Sequence, residues 1–395
     1  VTAARKDSTT NDSRRTPRRQ SARAQKRSGW QRFMRGLAAT ADVLAVAALA
    51  LTGYAGYVSP LSKGGLWGIL VLGFGPVLAV CLLLLVIQLF WHRRGAVIIG
   101  AGLLLCAGPV LTFCPLNVIH PKVPEGAETF TLLSYNVHQF HAPGVRPVLV
   151  SDSFATATVD YILSTDADIV NMQEGTSYLT MSKKGLPQKM RQALNDRYPY
   201  VFTDGKELVV MSKFPVTPVH LDISPEFKGG SVGCYRIHLP SEKMVTLFNV
   251  HLASMKMNSE DTIAYKRITG LERTSLRFIK NELMGKVSAA SVIRARMSQQ
   301  LMRYIRQFGG PDVIVSGDFN DVPGCYTIRL LANAGFHSVY PETGFGPITT
   351  FNGGRMYFCI DHTLYRGGLV PVRMTRGDIR SSDHYPLLTE FYVKP

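Results

Sequence analysis

Several short apolar runs in this chain end in, or lead to, a group able to hold a cation or move a proton. They are Asn136, Glu174, His251, the pair Asp318 and Asn320, Asp361, and the pair Asp383 and His384. The densest is Ser316-Gly317-Asp318-Phe319-Asn320-Asp321, which follows Val313-Ile314-Val315 and reads as the end of a buried strand. Asp318 and Asn320 are two apart, so on a continuing strand they share a face. A carboxylate beside a carboxamide can hold a water against an anionic centre. Taken alone, each group has a duller reading: an Asx-rich turn, a surface acid, a core histidine or a solvated loop. Their joint occurrence shifts the balance, because groups from different strands can converge at one rim of a sheet. Carboxylates and carboxamides suit a hard cation such as Mg²⁺ or Mn²⁺. Asp361 and His384 suit an orienter and its base, since a carboxylate fixes an imidazole's tautomer and raises its basicity. A metal with His and Asn donors can stabilise charge on a phosphoryl group while water attacks in line.

The elements that must position these groups begin near Phe130. Apolar runs predict strands over 130–137, 168–174, 207–212, 233–239, 244–251, 313–315, 357–364 and 387–393. Helical spacing predicts helices over 155–164, 186–194 and 328–334. The long polar stretch Ser259 to Phe308 lacks Pro and carries Leu276, Ile279, Leu283, Met297, Leu301 and Ile305 at helical spacing. It reads as one helix, or as two with a break near Gly285. No internal repeat is present at any short period.

The 395 residues carry 44 Lys and Arg against 28 Asp and Glu, a net charge of +16. That charge is lopsided: residues 1–120 hold 14 basic and 3 acidic residues, leaving 30 and 25 for the remainder. The high pI therefore gives no ground for a nucleic-acid partner of the later part. Residues 1–35 are rich in Arg, Lys, Ser and Thr and read as a disordered basic tail. Three apolar segments follow, Leu37 to Tyr57, Gly65 to Phe90 with Pro76 inside it, and Ala96 to Cys114 with Pro109 inside it. Each approaches the ~20 residues a membrane-spanning helix needs. A cleaved signal peptide explains one such segment, not three. The tail has eleven basic residues, the first loop only Lys63, and the second loop Arg93 and Arg94. The positive-inside bias then predicts a cytoplasmic N-terminus and an extracytoplasmic chain after about Pro115. The expected division is a tail over 1–35, three transmembrane helices over 36–115, a linker over 116–128 and a catalytic domain over 129–395. Six cysteines, with no CxxC or Cys/His metal spacing, predict no disulfide framework, with one bridge among Cys234, Cys325 and Cys359 left open.

Ser134-Tyr135-Asn136, Gln173-Glu174, Asn249-Val250-His251-Leu252, Gly317-Asp318-Phe319-Asn320-Asp321, Ile360-Asp361-His362 and Ser382-Asp383-His384-Tyr385-Pro386 together resemble the successive motifs of the endonuclease/exonuclease/phosphatase superfamily. The resemblance covers about residues 128–395, and the membrane part is a separate attachment, as in some bacterial membrane-anchored members. It implies an α/β (α+β) four-layer sandwich: two packed, mostly antiparallel sheets flanked by helices, here preceded by the three transmembrane helices. It implies that Glu174, with Asn136 nearby, holds Mg²⁺ or Mn²⁺, and that Asp383 is a further metal-linked or His-supporting acid. Asp318 would position or activate the attacking water, and Asn320 would help hold that water or the phosphate. His384, oriented by Asp361, would contact the phosphate and act in proton transfer or charge stabilisation. His251 would contact the phosphate or serve as acid, and the motif residues Asn249 and Tyr135 would bind substrate. Cys359 stands where related bacterial proteins often have Arg, and Met211-Ser212-Lys213-Phe214-Pro215 follows the family's Ser-Arg-x-Pro segment only loosely.

The resulting expectation is a membrane-anchored, metal-dependent phosphoesterase cleaving a phosphodiester or a phosphomonoester. Its partners would be the lipid bilayer and a phosphate ester, either a phospholipid headgroup, as in a sphingomyelinase, or extracytoplasmic DNA or RNA. Lys183, Lys184, Lys189 and Arg191 offer a basic stripe for phosphates, or simply a solvated helix face. A non-catalytic binding module would not need Glu174, Asp318, Asn320, Asp361 and His384 intact. A transporter or channel is disfavoured because the two later spans contain no ionisable residue.

Overall fold

Alternation along the strands dictates the layering. In β1 (Thr129–Asn136) Leu132 faces one side and Leu133 the other, and in β8 (Asp312–Asp318) Ile314 faces opposite to Val313 and Val315. Both sheets are thus apolar on two faces and must be covered on both. The computed structural model of the chain describes residues 17–62, 65–141, 152–179, 185–255, 284–353 and 356–394. Lys63, Lys183 and Lys184, residues 1–16 of the basic tail and residues 259–283 of the long polar stretch lie outside the described residues.

The first sheet contains β1, β2 (Ile169–Gln173), β3 (Tyr200–Thr203), β4 (Val209–Ser212), β13 (Leu369–Arg376) and β14 (Leu387–Val393), in the order β13-β14-β1-β2-β4-β3. The second contains β5 (Val216–Val219), β6 (Ser231–His238), β7 (Met244–His251), β8, β9 (His337–Ser338) and β12 (Asp361–Arg366), in the order β5-β6-β7-β8-β12-β9. A separate hairpin pairs β10 (Phe351–Gly353) with β11 (Met356–Phe358). Each large sheet is mixed: only β1 with β2, and β7 with β8, run parallel.

Between the sheets Phe130, Leu132 and Ile169 meet Ile237, Leu247 and Ile314. Outside the first sheet, Leu133, Val170 and Met172 pack under the helices Asp152–Thr165 and Gln188–Arg197. Outside the second, Phe248, Val313 and Val315 pack under Met284–Phe308 and Tyr326–Ala332. The four layers follow, and each fully buried aliphatic or aromatic side chain contributes ~1.5–3 kcal/mol. The described part of the long polar stretch, Met284–Phe308, is one helix, with Gly285 inside its first turn. All six cysteines are free.

The N-terminal segment departs from three simple spans. A helix over Pro17–Tyr54 starts within the basic stretch and continues as a 3₁₀ turn over Ala55–Tyr57. The second apolar segment breaks at Gly73 into Leu66–Leu72 and Phe74–Trp91, and the third breaks at Cys106 into Arg93–Leu105 and Ala107–Phe113, bent by 74°. Two helices among the described residues, Gly29–Tyr57 and Phe74–Trp91, are long and apolar enough to cross a membrane, not the three expected; the bent pair is a third candidate only if taken as one broken span. Each break is followed by a proline at the third position of the next helix, Pro76 and Pro109. There a proline is tolerated, but it cannot continue a preceding helix without losing a hydrogen bond. Within 116–128, Leu116 bridges to Phe345 and the Asn117 side chain donates to the Pro341 and Gly344 carbonyls, so this stretch is stitched to the later sequence.

Candidate active site

Strand direction brings the polar groups together. Because β1 and β2 run parallel, as do β7 and β8, Asn136, Glu174, His251 and Asp318 all stand at C-terminal strand ends on one rim. β12 runs antiparallel to β8, with Asp361 opposite Asp318, so its first residue reaches that rim. The expected strand 357–364 is therefore two: β11 stops at Phe358 and β12 starts at Asp361, which begins a strand instead of ending one. Asp383 and His384 arrive in the segment just before β14, and Phe351 of β10 packs edge-on against the His384 ring at 4.9 Å.

Asp318 is the centre. Its Oδ1 accepts the Asn320 amide at 2.8 Å. Its Oδ2 accepts Asn136 Nδ2 at 3.1 Å and Asn320 Nδ2 at 3.2 Å, and faces His251 Nε2 and His384 Nε2, each at 3.6 Å. His384 Nδ1 meets Asp361 Oδ2 at 2.9 Å, and His251 Nδ1 meets Glu207 Oε1 at 3.1 Å. Two imidazoles thus approach one carboxylate, each held at its far nitrogen by a second carboxylate. Asn136 Nδ2 also donates to Glu174 Oε1 at 3.2 Å, while its carbonyl oxygen accepts the His138 amide. Asn136 therefore spaces Glu174 and Asp318. Glu174 and Asn320 have positive φ values of 54° and 50°, as do three consecutive residues from His138 to Phe140, so the rim is locally strained.

Burial pushes the Asp318 carboxyl up to about 6; His384 and His251 pull it down and Asp361 pushes it further up. Burial works against charge on His384, but Asp361 and Asp318 outweigh it and hold this imidazole well above its ordinary range. Burial likewise opposes charge on His251, yet Glu207, Asp318 and Glu174 raise it to about 9. Burial would raise Glu174, but His138, His251 and His384 hold it down to about 2. At neutral pH the rim thus carries an ionised Glu174 and two imidazolium groups around Asp318.

Glu174 and Asp383 keep about a quarter and a fifth of their side chains exposed, and both face His138 Nδ1, at 3.6 and 3.4 Å. Their oxygen donors and the low Glu174 pKa fit a hard divalent cation. Asp318, Asp361 and His384 also bring ligand atoms within 4.8 Å of one another, but there the imidazole is already engaged by both acids.

Two expected substrate contacts lie elsewhere. Tyr135 is 1% exposed, packs among the residues under helix Asp152–Thr165, and bonds Ser381 Oγ at 3.1 Å. Its neighbour Asn136 faces the rim, so alternation turns Tyr135 away. Asn249 is wholly buried, donating to the Met172 carbonyl at 3.0 Å and accepting Gln173 Nε2 at 2.8 Å, and so joins the two sheets. Cys359 is buried as well. Three participants were not foreseen. His138 lay two residues after Asn136, a spacing that was available. Glu207, from the turn between β3 and β4, had no motif around it. Arg294 bonds Asp321 Oδ2 at 3.1 Å from within an ordinary amphipathic helix. A groove of about 400 Å³ lined by Asp204, Lys206, His220 and Ser231 opens beside the Glu207 turn.

A sequence model of the Endonuclease/Exonuclease/phosphatase family matches residues 133–384. No curated protein matches the chain. Among solved structures, an endonuclease/exonuclease/phosphatase from Beutenbergia cavernae DSM 12333 is similar at 15% identity, covering 67% of this chain and 72% of that one, with a TM-score of 0.44. One from Bacteroides vulgatus is similar at 14% identity over 68% and 100% of the two chains, TM-score 0.44. The human Nocturnin catalytic domain with bound sulfate anion is similar at 15% identity over 67% and 95%, TM-score 0.44.

Proposed function

The chain belongs to the endonuclease/exonuclease/phosphatase family of phosphoester hydrolases, and from that premise we propose that it is a membrane-anchored, divalent-metal-dependent phosphodiesterase whose activity resides in residues 129–395. The observation that carries this reading is the convergence of two histidine–carboxylate pairs, His384 with Asp361 and His251 with Glu207, on the single carboxylate of Asp318. A group with a pKa of about 6 is ionised at neutral pH yet basic enough to take a proton from water as it attacks phosphorus. Asn136 and Asn320 fix the direction of that carboxylate. His384, kept protonated by Asp361, presents Nε2–H to a non-bridging phosphoryl oxygen, where a fixed donor lowers the energy of the developing charge. His251, kept protonated by Glu207, stands at the same distance and gives its proton to the departing ester oxygen. Mg²⁺ or Mn²⁺ held by Glu174 and Asp383 would supply Lewis-acid neutralisation of the phosphoryl charge.

The two apolar helices support an anchor in the membrane, and with the bent pair taken as a third crossing the basic N-terminal stretch supports a cytoplasmic N-terminus with the site outside. A tethered site acts on phosphodiesters at or near the bilayer, either lipid headgroups or extracytoplasmic nucleic acid. The test is hydrolysis by the full chain in nanodiscs, with Mg²⁺ or Mn²⁺, of bis-p-nitrophenyl phosphate, DNA, RNA, sphingomyelin and phosphatidylinositol. Turnover is expected to need the metal, to stop with EDTA, and to fall by roughly 10²–10⁴ in His384→Ala and by less in Asp361→Asn. Folded protein that hydrolyses nothing, or that keeps its rate in His384→Ala, would refute the reading. The best substrate selects between the lipid and nucleic-acid classes.

A further inference from the structure

The turn joining the first two apolar helices is built into the catalytic half of the chain. Ala55 and Val71 share a buried cluster with Met297, Leu301, Val322 and Cys325, and Trp67, Leu70 and Leu72 pack against it. Three glycines make the approach close. A Cβ on Gly56 would stand 1.8 Å from the Gly324 carbonyl oxygen, one on Gly65 2.4 Å from the Ser288 carbonyl oxygen, and one on Gly68 2.0 Å from Ser291 Oγ. Only glycine fits at such distances. Arg329 lays its guanidinium 4.6 Å from the Tyr57 ring centroid.

The surface these residues touch is the back of the catalytic loop. Gly324 closes the segment that starts at Asp318, just before helix Tyr326–Ala332. Ser291 lies one turn before Arg294 on helix Met284–Phe308. Arg294 is 2% exposed and ties two catalytic segments together. Its Nε donates to Asp321 Oδ2 at 3.1 Å, and its Nη1 donates to the Ala253 carbonyl, also at 3.1 Å, two residues beyond His251. The Leu252 amide in turn donates to the Asp318 carbonyl at 2.9 Å. Contact from the anchor therefore reaches the loop that begins at Asp318 from two sides, at Gly324 and through Ser291 and Arg294.

We propose that residues 55–62 and 65–72 are a clamp that positions the Asp318–Cys325 loop, so that phosphoester hydrolysis depends on the anchor being seated against helices Met284–Phe308 and Tyr326–Ala332. The anchor is then a positioning part of the enzyme as well as its tether. The kinetic side of this proposal rests on the phosphodiesterase reading, whereas its structural side does not.

The experiment uses the full chain in nanodiscs and two readouts, amide hydrogen exchange and hydrolysis of bis-p-nitrophenyl phosphate with Mn²⁺. Gly68→Leu and the smaller Gly56→Ala unseat the turn at two different contacts, so a misfolded Gly68→Leu leaves Gly56→Ala to decide. Gly100→Leu, at a helical glycine with nothing within 4 Å of a Cβ, is the control. Exchange is expected to rise over 55–72 and 318–325 and to stay unchanged in β1 and β14. The expected kcat falls by up to roughly 10²-fold, the cost of a 1 Å misplacement, with little change in KM. Gly100→Leu is expected to match the wild type in both. Faster exchange over 55–72 with 318–325 still protected overturns the clamp, as does a kcat that survives the unseating. A wild-type chain that hydrolyses no ester refutes the proposed function, and the exchange difference alone then decides the clamp.

Discussion

His251 and His384 sit close to a third imidazole, His362, whose environment gives the opposite result. Burial holds the His362 ring below its ordinary range, although the Asp321 carbonyl accepting its Nε2–H at 2.9 Å pulls the other way. The Asp361 and Asp321 carboxylates also pull upward, but burial outweighs them, and the neutral ring is what the fold stabilises. A histidine with a depressed folded pKa contributes stability that is full above its unfolded pKa of about 6.5 and is lost as pH falls through the folded value. Each unit of depression is worth about 1.4 kcal/mol. His362 alone therefore lowers the melting midpoint of the metal-free chain as pH falls from 7.5 to 5, while the raised values of Asp318, His251 and His384 act in the opposite direction, and His362→Gln should remove that lowering. An unchanged pH slope in the variant would show that other groups carry it. At this scale the legible residues were those sitting in a motif at a strand end. Tyr135 stands away from the rim, as alternation with Asn136 along the strand requires. Glu207 was not legible, because its meeting with His251 joins positions 44 apart through a turn that carries no sequence pattern.

Strand direction, more than strand identity, makes the rim. The runs ending in Asn136, His251 and Asp318 were readable from composition, but that β12 enters the rim at its first residue depends on its antiparallel register against β8. The edge strands were also unread. β5 contains Pro218 and β13 contains Pro371, and a proline demotes an apolar run in sequence while being tolerated at the edge of a sheet. The parallel pair β7 and β8 carries the tightest constraint. Gly317 has φ 143°, and a Cβ there would stand 2.0 Å from the Val250 carbonyl oxygen. That contact lies one residue before His251 on β7 and one before Asp318 on β8. Gly317→Ala should force the two strands apart where both candidate catalytic groups emerge. A loss of more than about 1 kcal/mol follows from the backbone strain alone, which for a domain of this size lowers the melting midpoint by at least about 2–4 °C. Turnover should drop with it, and a variant with wild-type melting and rate would mean the strands are less tightly fixed than this geometry requires.

At the scale of the molecule, the clamp contact and the membrane crossings constrain each other. Residues 55–62 and 65–72 follow the first apolar helix and touch helices Met284–Phe308 and Tyr326–Ala332, so in an anchored chain both lie on one side of the bilayer. If Phe74–Trp91 crosses once, the chain must cross back before residue 116, and the only stretch available is the bent pair Arg93–Leu105 and Ala107–Phe113. On the anchored reading proposed above, we assign the 74° bend to a broken third span. Segment composition made the apolar stretches legible, but not their breaks at Gly73 and Cys106, which depend on packing. The orientation proposed above rests on charge alone, which would put the basic N-terminal stretch and Arg93-Arg94 on the cytoplasmic side. Single cysteines at Ser62, His92 and Lys394, placed in a Cys114→Ser background because the other native cysteines are buried, test this with a membrane-impermeant maleimide on intact cells. Ser62→Cys and Lys394→Cys should label from outside, and His92→Cys only after permeabilisation. Ser62→Cys and Lys394→Cys labelling from opposite faces would break the link between the clamp and the crossings. All three labelling together would mean that Phe74–Trp91 does not cross, and labelling of His92→Cys alone would invert the orientation while leaving the clamp intact.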